Sequence, residues 1–122
     1  MLDLKKIKAF TSPKVTKKYF IAGEFQEVEL SVIPDSVMVE LSEGDSDNIT
    51  NEEKITKLKK ALACILNIAE DDAMAIIDCD FTTALDIFND GQALTGEWAK
   101  KRSEEREKAE KNLKAAQMNI QG

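Results

Sequence analysis

Apolar and polar residues alternate with a period of two between Lys14 and Ile33. Val15, Tyr19 and Ile21 share one parity, with Lys17 breaking the row. On the return, Val28, Leu30 and Val32 alternate with Glu27, Glu29 and Ser31. This pattern predicts a β-hairpin over 14–33 with one apolar and one acidic face. Ala22-Gly23-Glu24 supplies the turn, with Gly23 free to take a positive φ. Two strands alone are marginal, so the ribbon needs a helical layer to pack on. From Pro34 onward the period lengthens to that of a helix. Val37, Met38 and Leu41 predict a short helix over 35–43, opened by Pro34 and closed by Gly44. Thr50-Asn51-Glu52-Glu53 is a capping-box pattern and opens a helix over 51–68. Its stripe is Ile55, Leu58, Leu62, Ile65 and Leu66, with Lys54, Lys57, Lys59 and Lys60 on the wet side. Carboxylates at Glu70, Asp71 and Asp72 favour another helix N-terminus, predicting a helix over 71–78. Asp80 suits an N-cap for a helix over 80–94 that carries Phe81, Leu85 and Phe88 on one face, and Gly91 is expected to end or bend it.

The last stretch, about 95–117, is the most helix-prone by propensity. Glu97→Lys101, Glu104→Lys108, Glu107→Lys111 and Glu110→Lys114 stand in the favourable i,i+4 orientation. Its apolar stripe is thin: Trp98, Ala109, Leu113, Ala116. At the other end, Leu2, Leu4, Ile7 and Phe10 suit a short strand or a docking arm. The pattern as a whole predicts an α+β fold, mainly α. A small domain over 1–99 carries the hairpin packed on its helices, and a charged helical tail follows over 100–122. Leu58, Leu62, Ile65, Phe81, Leu85 and Phe88 are the expected core.

Charge sharpens the division. Residues 61–99 contain no Lys or Arg. Residues 1–99 hold 10 basic and 19 acidic residues, net −9; residues 100–122 hold 7 basic and 4 acidic, net +3, matching the −6 of the 122-residue chain. An acidic body disfavours nucleic acid as a partner. The basic tail interleaves its cations with Glu and has no aromatic residue beyond Trp98, which reads as a solvated or protein-docking helix. No apolar run approaches the ~20 residues that span a bilayer, and the opening residues lack the apolar core of a secretory signal, so a cytoplasmic protein is expected.

Candidate chemistry is sparse. There are no histidines, which removes the commonest general base and the commonest transition-metal ligand. Cys64 and Cys79 lie in apolar surroundings and read as two buried thiols acting as small hydrophobes. An EF-hand starting at Asp45 would need Gly at position 50 and Glu at position 56, where the chain has Thr50 and Thr56. Glu70, Asp71, Asp72, Asp78 and Asp80 are explained by helix capping and a wet acidic face without a metal. No catalytic, cofactor-binding or metal-binding residues are expected, and the chain reads as a non-enzymatic interaction protein.

Several segments resemble the tail assembly chaperones of long-tailed (siphovirus-type) bacteriophages and prophages. They are Lys18-Tyr19-Phe20-Ile21-Ala22-Gly23-Glu24-Phe25 as strand–turn–strand, then Ile33-Pro34-Asp35-Ser36-Val37-Met38. The run Asp78-Cys79-Asp80-Phe81 leading into Leu85-Asp86-Ile87-Phe88, and the Trp-containing Gly96-Glu97-Trp98, are similar as well. The resemblance covers roughly residues 14–99. It implies a helper without catalysis that binds the tape-measure protein and tail-tube subunits during tail assembly, needs no cofactor and self-associates. The acidic body and basic tail are compatible with head-to-tail contacts between copies. A helical partner would be expected to meet Ile87, Leu94, Trp98 and Leu113, with Trp98 as anchor; the other reading of Trp98 is a cap on the domain's own core. The alternatives are another small head–tail or virion morphogenesis protein, or a bacterial adaptor that presents its C-terminal helix to one partner.

Overall fold

The computed structural model describes residues 2–10, 12–43 and 50–121. The chain order is α1 (Leu4–Ala9), β1 (Lys14–Ile21), β2 (Glu24–Ser31), α2 (Asp35–Ser42), α3 (Asn51–Leu66), α4 (Glu70–Cys79) and α5 (Phe81–Gln121). The structure is 70% helical with one two-stranded antiparallel ribbon, an α+β fold dominated by helices. The segment Asp45–Asn48, weighed and rejected as a calcium loop, and the closing Gly44 lie outside the described residues.

The hairpin forms as predicted over 14–33, with pairing from Lys14↔Ser31 to Ile21↔Glu24, so Glu24 belongs to β2 rather than to the turn. Ala22 (φ 55°) and Gly23 (φ 81°) make the two-residue turn. Two positive φ values in sequence mark the turn whose twist matches that of paired strands. The parity rule holds where burial is deepest: Tyr19 and Leu30 are buried, and Val28 is half-buried. Lys17, the polar interruption, reaches Asp90 of α5 at 3.5 Å.

The capping box of α3 is realised in both directions. Thr50 Oγ1 accepts from the Glu53 amide at 3.1 Å, and Glu53 Oε2 accepts from the Thr50 amide at 3.4 Å. Asn67, at φ 55°, stops the helix in the left-handed conformation that Asn tolerates. Leu58, Ala61, Leu62 and Ile65 of α3 are buried. They meet Leu30 from the ribbon and Ile33 just beyond it, Ala73 and Ile77 from α4, and Ala84 and Ile87 from α5 in one core cluster. Asp80 alone joins α4 to α5, its Oδ1 accepting from the Thr83 amide at 3.1 Å as an N-cap.

Four expectations are corrected. Residues 4–9 form a helix rather than a strand, because Asp3 caps it by accepting from the amides of Lys5 and Lys6. The predicted helices 80–94 and 95–117 are one helix of 41 residues. Gly91 does not interrupt it: a Cβ there would lie 2.4 Å from Ile65 Cδ1, so the missing side chain lets α3 and α5 approach closely. Among the described residues, the i,i+4 ion pair within the charged end of α5 is Arg106–Glu110 at 3.3 Å, in the reverse orientation to the expected pairs. Cys79 is exposed rather than buried, while Cys64 is half-buried and both thiols are free.

The buried face of α5 is also rotated from expectation. Ala84, Ile87, Gly91 and Thr95 face the core. Phe81 is 50% exposed and Leu85 37% exposed, while Phe88 is half-buried. The inner stripe is built from small residues because the helices pack so closely, and bulky side chains do not fit there.

Candidate apolar groove

The displaced bulky stripe of α5 has a destination. Phe81, Leu85, Phe88 and Gln92, spaced i, i+4, i+7 and i+11, form one wall of a half-open groove. Ile55 and Leu58 of α3, with Lys54 and Lys57, form the second wall, and Met38, Leu41 and Ser42 of α2 form the third. The cavity volume is about 430 Å³, within the range of built ligand sites. Its lining is overwhelmingly carbon.

The walls are held together by polar ties. Lys60 is paired with Glu40, fixing α2 against α3. Lys57 Nζ donates to the Glu43 carbonyl at 2.7 Å. Arg102 on α5 grips Asp35, the first residue of α2, through two hydrogen bonds of 3.2 Å. That bidentate contact is the first cause of the lowered Asp35 carboxyl pKa and of the raised Arg102 pKa. The ribbon is tied to α5 by three further contacts. The Tyr19 hydroxyl donates to Asp90 Oδ2 at 2.5 Å. Thr83 Oγ1 donates to the Phe20 carbonyl at 3.2 Å. The Ile33 amide donates to Thr95 Oγ1 at 3.0 Å, which in turn donates to the Gly91 carbonyl at 2.7 Å. Burial, the Asp90 hydrogen bond and the Asp90 and Asp86 charges all push the Tyr19 pKa well above its ordinary value. Burial also pushes the Cys64 thiol up.

The residues expected to meet a partner do not form one surface. Ile87 is 2% exposed and belongs to the core, so it offers nothing to a ligand; it follows Ala84 by one turn on the inner face. Leu94 is half-buried and packs against the same core. Trp98 is half-buried, with the Phe10 ring stacked on it at 5.5 Å and the Arg102 guanidinium 5.6 Å from its centroid. Leu113 is 59% exposed and lies about 22 Å along the helix from Trp98. From Ser103 to Gln117 every side chain is exposed.

The groove residues Met38, Leu41, Ile55, Phe81 and Leu85 were not anticipated as a site. Their signal was present as a second apolar stripe on 81–92, one position round from the small-residue stripe. Among the described residues no cluster of three or more potential metal ligands occurs, and no helix of the described residues is long and apolar enough to cross a membrane. No family model, curated protein or solved structure matches the chain.

Proposed function

We propose that this protein is a non-enzymatic assembly chaperone whose groove shelters the apolar stripe of a helical partner until that partner assembles. The observation that carries the reading is the groove itself. Three helices leave Phe81, Leu85 and Ile55 exposed and Phe88, Met38 and Leu41 only half-buried along one groove. An amphipathic helix laid in such a groove uses anchors at i, i+3 or i+4, and i+7. Combined with the resemblance, this reading makes the protein a tail assembly chaperone of a long-tailed bacteriophage or prophage. It would act in the host cytoplasm on the tape-measure protein and the tail-tube subunits. A tape-measure protein in the form of a long apolar-striped helix needs such cover before assembly. The acidic body and the exposed basic end of α5 support self-association as part of the same role. That exposed end equally supports the adaptor reading, in which the residues around Leu113 carry the contact.

Co-expression with a tagged tape-measure protein separates the two. Leu85→Glu, at a partly exposed groove position, should abolish co-purification while circular dichroism stays unchanged. Leu113→Glu should leave it intact. The opposite result would transfer the function from the groove to the projecting helix.

A further inference from the structure

The groove carries a charge signature that its chain does not share. The protein has 23 acidic and 17 basic residues, yet among the described residues the groove lining contains two lysines, Lys54 and Lys57, and no carboxylate. The two stand one turn apart on α3. Lys57 donates to the carbonyl of Glu43, a neutral acceptor. Its neighbour one turn on, Lys60, is paired with Glu40, and Lys14 and Lys17 are paired with Glu29 and Asp90. Among the ion pairs between described residues, neither Lys54 nor Lys57 takes part.

We propose that the groove selects a partner helix whose apolar anchors are flanked by carboxylates, which meet Lys54 and Lys57 at the rim. The inference rests on the groove being a helix-docking site and names the chemistry of what docks. Complementary charge favours one partner over others more than it adds raw affinity. It also disfavours α1 as the occupant, since α1 carries Lys5, Lys6 and Lys8. The end of α5 mixes signs around Leu113, with Glu107 and Glu110 beside Lys108, Lys111 and Lys114, so it lacks the carboxylate-only flanks that the groove favours.

The test uses the full-length chain and three helical peptides of equal length with identical Leu anchors at i, i+3 and i+7. They differ only in flanking residues: Glu, Gln or Lys. Dissociation constants are measured by fluorescence anisotropy at low and high salt. The Glu peptide should bind about tenfold tighter than the Lys peptide at low salt, with the Gln peptide between them. The gap should narrow to about twofold at high salt, because exposed charges are screened. Lys54→Glu with Lys57→Glu should reverse the order, and Lys54→Gln with Lys57→Gln should erase it. Circular dichroism checks the folding of both double variants. Equal affinity for all three peptides overturns the charge selection and leaves helix docking standing. No binding by any peptide overturns docking as well. Oleate that binds and excludes all three peptides overturns the proposal in favour of a lipid carboxylate site.

Discussion

Two glycines in α5 have opposite meanings, and single methyl groups distinguish them. A Cβ at Gly91 would sit 2.4 Å from Cδ1 and 2.6 Å from Cγ1 of Ile65, a fully buried β-branched residue with little freedom to move. A Cβ at Gly96 meets nothing within 4 Å. Helix propensity alone favours Ala at both positions. Gly91→Ala should nevertheless destabilise the protein by about 1–3 kcal/mol through overpacking, whereas Gly96→Ala should stabilise it by about 0.5–1 kcal/mol. Urea unfolding of the two variants reads both signs. Tyr19 provides a second residue-scale prediction, and it is the only tyrosine in the chain. Its hydroxyl is buried and donates to Asp90, which raises its folded pKa above the unfolded value near 10. The stability linked to this group is fully present below pH ~10 and falls as pH rises above it, because the unfolded chain then deprotonates first. An ultraviolet tyrosinate titration should show a midpoint well above 10 in the folded protein, returning to about 10 in concentrated urea. The stability advantage over Tyr19→Phe should shrink over the same alkaline window.

At the scale of elements, the hairpin and α3 could be read from the residues with little loss. Alternation over 14–33 and the capping box at Thr50 are local signals, and both act through the backbone of the element that carries them. The helix over 81–121 could not be divided correctly, because its division depends on a distant neighbour. Gly91 reads as a break in isolation; against Ile65 it is a contact. The same cause hid the groove. Phe81, Leu85 and Phe88 outweigh Ala84, Gly91 and Thr95 in any hydrophobicity pattern, so the bulky stripe was assigned to the core. Close helix packing chose the small stripe instead and left the aromatic one facing outward. The N-terminal arm was misread for a related reason. Asp3 caps a helix of only six residues, α1, and Phe10 then folds back on Trp98. That stack covers Trp98 with an exposed ring of the N-terminal arm, away from the core cluster.

At the scale of the whole molecule, the acidic body and the basic end of α5 are separate working parts. The body holds the core and the groove, and α5 extends about 28 Å beyond the last residue that grips it, Arg102. Truncation after Ala99 removes the Arg102–Asp35 contact, whose carboxylate partner is 74% exposed at the side chain. Such a pair contributes about 1 kcal/mol or less, so residues 1–99 should remain folded. Sedimentation velocity should show self-association of the full chain that weakens with salt and disappears on truncation; a truncated chain that still associates would place the contact in the body. The central claim is that the groove between α2, α3 and α5 receives an apolar helix. Methyl-labelled NMR reads it directly, by titrating the Glu-flanked helical peptide into the full-length protein. The account predicts shifts at Met38, Leu41, Ile55 and Leu85, with Leu113 unmoved. Shifts confined to Leu113 and the surroundings of Trp98, with the groove methyls silent, would contradict it.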